Sequence, residues 1–340
     1  MGWQDNLNGP SLDWLLEDDP SGVRYLALRD LVGLPPGDAE LLAARRLAHE
    51  TGPIAAILAE LQPEGFWKTP GPGYNPKYRS TVWSLTLLAQ LGASIAEDER
   101  IGRACEYLLE HTLAAGGQFS YNGALSGTID CLQGNLCWAL TELGVDDPRL
   151  DRAFDWIARS VTGEGIAPLQ DKKASPRYYS FKCGPNFACG INASQPCAWG
   201  AAKVMLALGR LPVARRTPQV ETAIRQGIDF LFSVDPVTAE YPSGIGGKPS
   251  QSWWKLGFPL FYVTDVLQIA EALAGLGLVG DPRLNNSHAW LLSKQDSQGK
   301  WALDYDYSGK TFGAFGEKHQ PNKWVTLRAL RWLKAAERML

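Results

Sequence analysis

Four of the six cysteines in this 340-residue sequence, Cys131, Cys183, Cys189 and Cys197, carry its most reactive side-chain chemistry. Four thiolates in one place would hold Zn²⁺ tetrahedrally or carry an iron–sulfur cluster. The Cys-x5-Cys-x7-Cys run from Cys183 to Cys197 matches neither a zinc finger nor a ferredoxin pattern. Buried, inert thiols are therefore the competing reading. Asp130 stands directly before Cys131, where an Asp at a helix start is by default an N-cap. The second resource is aromatic, with 13 Trp, 11 Tyr and 11 Phe. Aromatic faces wall an apolar pocket well, and their quadrupoles stabilise a passing carbocation.

These residues need elements to hold them, and the chain repeats itself. Asp98, Asp147 and Asp281 each precede an Arg by two residues (Arg100, Arg149, Arg283) and an aromatic by nine (Tyr107, Trp156, Trp290). Asp is a good N-cap, Pro at 148 and 282 fits the first helical position, and the apolar residues that follow recur at helical spacing. Glycine turns with an apolar neighbour come next, at Gly117-Gln-Phe119, Gly163-Glu-Gly-Ile166 and Gly299-Lys-Trp301. A first copy ends at Gly65-Phe-Trp67, and 219–231 reads as a divergent one.

A second helix is predicted after each turn: 23–32, 80–91, 132–143, 197–208, 261–276 and 323–336. Several are apolar nearly all round, which marks them as buried, whereas the alternating segments carry charge on one side. An inner and an outer set repeating about every 52 to 65 residues means a repeat architecture. The predicted fold class is all-α: an α/α toroid of about six helical-hairpin repeats, an open superhelix being the alternative. One domain is expected over 1–340, with repeats at roughly 11–67, 68–119, 120–166, 167–245, 246–301 and 302–340.

Parallel inner helices would bring all their N-termini to one end of the ring, beside positive dipole ends. The residues in those slots are Arg24 and Tyr25; Arg79, Ser80 and Trp83; Asp130 and Cys131; Cys197 and Trp199; Trp254, Tyr262 and Asp265; Lys323 and Trp324. Cys183 and Cys189, in the loop between two inner helices, belong at the same end. A long, apolar ligand suits such a site, and rings that simply fill the core are the alternative.

Composition narrows the partners. With 45% hydrophobic and 20% charged residues, the chain reads as globular and ordered. A net charge of −3 without a long basic run leaves no electrostatic footprint for nucleic acid. No apolar run is long enough to span a bilayer, and the N-terminus lacks the pattern of a signal peptide. A cytoplasmic, reducing location is expected, which favours free or metal-bound thiols over disulfides. Peripheral contact with a membrane stays open.

The segment from Trp290-Leu through Gln295 to Gly299-Lys-Trp301 resembles the QW repeat of squalene–hopene and oxidosqualene cyclases. Leu58, Gln62 and Gly65-Phe-Trp67 form a looser copy. The chain is also similar to bacterial prenyltransferase and squalene-oxidase repeat proteins, through FPLFYVTDVL and KWVTLRALRWLK. The resemblance implies the toroid of terpene cyclases and protein prenyltransferases, with Gln295 and Trp301 tying repeats together. It also implies a proton-donating Asp. Oxidosqualene cyclases carry theirs in Asp-Cys-Thr-Ala-Glu, of which Asp130-Cys131-Leu-Gln-Gly keeps only the first pair; the DxDD of squalene–hopene cyclases is missing. Prenyltransferase zinc chemistry is disfavoured, since Gly247 and Tyr262 stand where ligands belong. No DDxxD is present for magnesium–diphosphate chemistry. The leading expectation is an enzyme that cyclises or isomerises an isoprenoid-like chain by acid initiation. Asp130 would be the acid, and Cys131 and Cys197 would tune it. A metal-bearing toroid and a non-catalytic binding ring are the alternatives.

Overall fold

The structure, a computed structural model, describes residues 2–175, 182–244 and 246–337. The Asp-x-Arg repeat works as a clamp at helix starts. Asp98, Asp147 and Asp281 each accept the backbone N–H of the Arg two residues on. The guanidinium of that Arg then closes back on the same carboxylate, at 2.6, 2.7 and 2.6 Å. An orphan N–H is thereby satisfied, and negative charge sits at the helix N-terminus.

Numbered along the chain, seven outer helices and six inner ones alternate among the described residues. The outer set is α1 (Ser11–Leu15), α3 (Ala39–Glu50), α4 (Gly52–Ala59), α6 (Glu99–Thr112), α8 (Pro148–Thr162), α10 (Pro218–Leu231) and α12 (Asn285–Ser293). The inner set is α2 (Ser21–Ala27, continued by a wider turn to Val32), α5 (Thr81–Gln90), α7 (Asp130–Leu143), α9 (Ala198–Arg210), α11 (Val266–Gly275) and α13 (Lys323–Glu337). Consecutive inner helices from α5 to α13 pack on one another, and α13 packs on α2. Tyr25 and Leu26 of α2 meet Gly92 just after α5, which closes the ring. The inner helices run parallel. Gly200 near the start of α9 faces Asp130 at the start of α7, and Gly209 faces Gly275 at the far ends of α9 and α11. The fold is an all-α toroid.

The glycine–aromatic turns staple outer helices to inner ones. Trp67 and Trp301 are fully buried, and their Nε1 atoms donate to the carbonyls of Ile57 and Leu291, each at 2.8 Å. Their backbone N–H groups donate to Thr81 and Thr326 of the following inner helix. In the Phe119 turn, Gln133 of α7 takes the place of the threonine. Gln295 bonds the backbone of Asn6 and Asn8, so its glutamine ties the N-terminal segment to the fifth repeat.

One inner helix is shorter than predicted. The 261–276 prediction fails over its first turn, and α11 starts at Val266, where Asp265 caps it by accepting from Gln268 N–H. The preceding stretch runs extended because its backbone finds partners elsewhere. Leu260 is bonded at both N–H and carbonyl by Gln90, the Phe261 carbonyl by Asn135 and the Val263 carbonyl by Lys203. No helix among the described residues is long and apolar enough to cross a membrane.

Candidate functional site

The site is built where α7 and α9 come closest. At Gly134 an added Cβ would lie 2.3 Å from the carbonyl carbon of Lys203, so only glycine permits this crossing. The close approach brings the two helix starts together, with Asp130 and Cys131 on one and Cys197 just before the other. Between α8 and α9, strands β1 (Cys183–Gly184) and β2 (Ala188–Cys189) pair antiparallel, with Cys183 opposite Cys189. This hairpin delivers two more thiols to the same place.

Asp130 is the first residue of α7 and caps nothing; the N-cap position belongs to Ile129. Its carboxyl is hydrogen-bonded by the Cys183 thiol, and Oδ2 is buried without a partner among the described residues. Burial, reinforced by the nearby Cys189, holds its pKa well above the ordinary carboxylate range despite the Cys183 bond. The protonated form, which can give a proton away, is favoured by this environment. The Cys189 thiol is hydrogen-bonded to Cys197, and with backbone N–H groups of Asn192 and Ile191 this brings its pKa down to about 6. Cys197 is displaced upward by the same bond. Burial pushes Cys131 up to about 12.

Among the described residues no group of three or more His, Cys, Asp or Glu is placed to hold a metal ion. The four-cysteine zinc or iron–sulfur reading of Cys131, Cys183, Cys189 and Cys197 therefore finds no support among the described residues. The thiols are engaged pairwise, Cys183 with Asp130 and Cys189 with Cys197.

Two buried charge systems flank this cluster; the sequence reading named Asp265 but passed over Lys203 and Arg328. Lys203 of α9 has no exposed surface, and its Nζ donates to Thr264 Oγ1, Gln268 Oε1 and the Val263 carbonyl. Burial lowers its pKa to about 8. Arg328 of α13 bridges Asp265 and Glu271 at 2.8 Å each and donates to the Gly257 carbonyl. The signal was present in both helices: a lone Lys in AWGAAKVMLALG, and an Arg inside WVTLRAL.

The aromatic slots cluster as expected but pack tightly. Trp83 lies 5.2 Å from Tyr74, 5.1 Å from Tyr78, 5.4 Å from Phe261 and 5.1 Å from Tyr262. The Tyr262 hydroxyl is buried, and burial raises its pKa well above the usual value. Trp324 stacks on Phe258 at 4.6 Å. Trp199 packs edge-on to Trp253, and Trp254 donates to the Val237 carbonyl. Other slots hold the scaffold. Arg24 binds Glu40 and Tyr25 is core; Arg79 binds the Thr311 carbonyl; Lys323 binds Glu17; Ser80 binds the Gly73 carbonyl. Asp265 caps α11 and pairs with Arg328.

A cavity of about 660 Å³ lies inside the ring at the other end, around the C-terminal halves of the inner helices. The ligand space was expected at the N-terminal end, which the aromatic rings fill. Leu26, Trp138, Leu206, Phe258 and Leu260 give the cavity apolar walls, and Arg29, Asp30, Glu142, Arg210, Arg331 and Lys334 surround them with charge. Its inner wall includes Asn135 and Gln268. Asn135 is little more than one turn along α7 from Asp130, about 7.5 Å of helix rise, and Gln268 is bonded to Lys203.

No family model matches the chain, and no curated protein does. Among solved structures, it is similar to the type II terpene cyclase MstE from Scytonema in its apo form, at 15% identity and a TM-score of 0.33, over 88% of this chain and 99% of that one. An apo tyrosine-to-phenylalanine variant of MstE gives 15% identity, a TM-score of 0.33 and coverage of 88% and 98%. An arginine-to-alanine variant of MstE in complex with geranylgeranyl dihydroxybenzoate gives 16% identity, a TM-score of 0.33 and coverage of 88% and 98%.

Proposed function

We propose that this protein is an enzyme that protonates an apolar, isoprenoid-like chain and so initiates its cyclisation or isomerisation. The observation that carries the reading is Asp130, a buried carboxyl whose pKa is held well above the ordinary range, with one oxygen unpartnered among the described residues. A group kept neutral at working pH is what a general acid requires. In this reading the Cys183 thiol orients the acid and the negative Cys189 keeps the proton on it. The rings of Trp138 and Phe258, which line the cavity, offer quadrupoles to developing positive charge. The substrate enters the 660 Å³ cavity with its apolar part against Phe258 and Leu260 and any charged end at the Arg29 and Arg331 side. Purified protein is incubated with prenyl chains of graded length and the products are resolved by mass spectrometry. Asp130→Asn, isosteric but unable to donate, should lower turnover by at least about 100-fold. Unchanged turnover in that variant overturns the mechanism.

A second reading, a ring that binds an amphiphile without transforming it, is favoured by one observation: the cavity lies at the end of the ring away from Asp130. It requires the same lipid to co-purify with the parent and with Asp130→Asn, chemically unaltered in both.

A further inference from the structure

Six cysteines are spread over the chain, and burial sorts them. Cys105, Cys131, Cys137 and Cys183 are buried, whereas Cys189 and Cys197 are partly exposed. These two accessible thiols are also the two that touch each other, through the hydrogen bond between their side chains. The backbone fixes the encounter. Ala188 and Pro196 form an antiparallel bridge, Cys189 N–H donates to the Gln195 carbonyl at 3.1 Å, and Cys197 N–H donates to the Phe187 carbonyl at 2.9 Å. Cys189 and Cys197 therefore lie diagonally across two paired segments on the same face, with their thiols in hydrogen-bond contact.

We propose that Cys189 and Cys197 form a redox pair, in which Cys189 is oxidised by a hydroperoxide and Cys197 closes on it as a disulfide. The inference goes beyond the acid chemistry above and does not depend on it. In the first step the Cys189 sulfur attacks the terminal peroxide oxygen and the O–O bond breaks. Cys189 becomes a sulfenic acid, and the departing alkoxide or hydroxide takes a proton and leaves as alcohol or water. In the second step the Cys197 sulfur, losing its proton, attacks the Cys189 sulfur and expels the sulfenic oxygen as water. Two thiols supply the two electrons that reduce one hydroperoxide, so the balance is closed. The roles follow from the surroundings. Cys189 receives the Cys197 thiol and two backbone N–H groups, which stabilise its thiolate, the reactive form. Cys197 holds its proton and sits within reach, as a resolving thiol must.

The test uses the full-length protein, hydrogen peroxide and an organic hydroperoxide in turn, alkylation of the remaining thiols, and non-reducing peptide mapping. One cross-linked pair joining the Cys189 and Cys197 peptides is expected, reversed by a dithiol. Before oxidation, Cys189 should alkylate at least about tenfold faster than Cys105. Cys197→Ser should stop at a sulfenic acid on Cys189 that a 1,3-dione probe traps, and Cys189→Ser should form no disulfide. A cross-link involving Cys183 or Cys131, or oxidation of Cys189 that goes to sulfinic acid with Cys197 intact, overturns the pairing. So does a Cys189 thiol untouched by either peroxide. If either variant fails to fold, peptide mapping of the parent protein still gives the answer.

Discussion

Gly134→Ala tests the crossing on which the site is built. The added methyl would stand 2.3 Å from the Lys203 carbonyl carbon and 2.5 Å from its oxygen and from Val204 N. Non-bonded carbons settle at about 3.5–4.0 Å, so α7 and α9 must part by roughly 1 Å or more. Helix propensity pulls the other way, since alanine in place of a mid-helix glycine gains about 1 kcal/mol. Overpacking costs about 1–3 kcal/mol, and two rigid helix backbones put this site at the upper end, leaving a net loss of about 2 kcal/mol. An unfolding entropy of about 2.1 cal/mol/K per residue gives a chain of 340 residues about 0.7 kcal/mol/K, so the melting temperature should fall by about 3 °C. Gly102→Ala in α6 is the matched control, because its Cβ meets nothing within 4 Å. There the same substitution should stabilise by up to about 1 kcal/mol. Thermal and urea unfolding of both variants against the parent read the two signs. A neutral or stabilising Gly134→Ala refutes the close crossing.

Asp130→Asn should also change stability, with a pH signature. The folded-state pKa of Asp130 is raised, so between the unfolded value near 3.8 and the folded one the native state binds more protons. Stability conferred by its neutral form is thus present at low pH and lost as pH rises toward the folded pKa. The asparagine variant should be the more stable protein near neutrality, with the gap closing below about pH 4; a gap independent of pH in urea titrations contradicts a neutral Asp130. Arg328→Met should cost about 3–5 kcal/mol, because the buried Asp265 carboxylate and the part-buried Glu271 carboxylate both lose their guanidinium partner. A loss below about 1 kcal/mol would mean that water reaches them.

Much of the scaffold is legible in the sequence because single residues announce it. Asp98, Asp147 and Asp281 have few ways to satisfy a helix start, and the Arg two residues on has one obvious partner. Trp67 and Trp301 are equally local, each reaching a carbonyl ten residues back. Legibility falls where partners come from distant repeats. Nothing near Phe261 says that its carbonyl will be taken by Asn135, and the stretch 261–265 therefore reads as helix. Lys203 and Arg328 had visible signals in the composition of their helices, but their partners on α11 follow only from the order of helices around the ring. Asp130 and the four cysteines were placed at one end by parallel inner helices alone. The pairing of Cys183 with Asp130 depends on the turn of the β1–β2 hairpin, which periodicity does not encode.

The position of the cavity follows from loop length. Five of the six connections from outer to inner helices are long, covering 60–80, 113–129, 163–197, 232–265 and 294–322, the exception being 16–20, and they arrive at the N-terminal end of the inner ring. They carry Tyr74, Tyr78, Tyr121, Phe261, Tyr262 and Tyr307, whose rings interlock across that end. Connections from inner to outer helices are short, covering 91–98, 144–147, 211–217 and 276–284, and have too little chain to fold over the opposite mouth. A ring of six helices whose loops are long on one side only must therefore be filled on that side and hollow on the other. The hollow end also gathers the last turns of six parallel helices, whose unpaired carbonyls favour cations. Lys334 answers that demand by donating to the carbonyls of Asp30 and Leu31, and Arg331 pairs with the Asp30 side chain beside it. The charged rim of the cavity is thus in large part a consequence of helix ends meeting there.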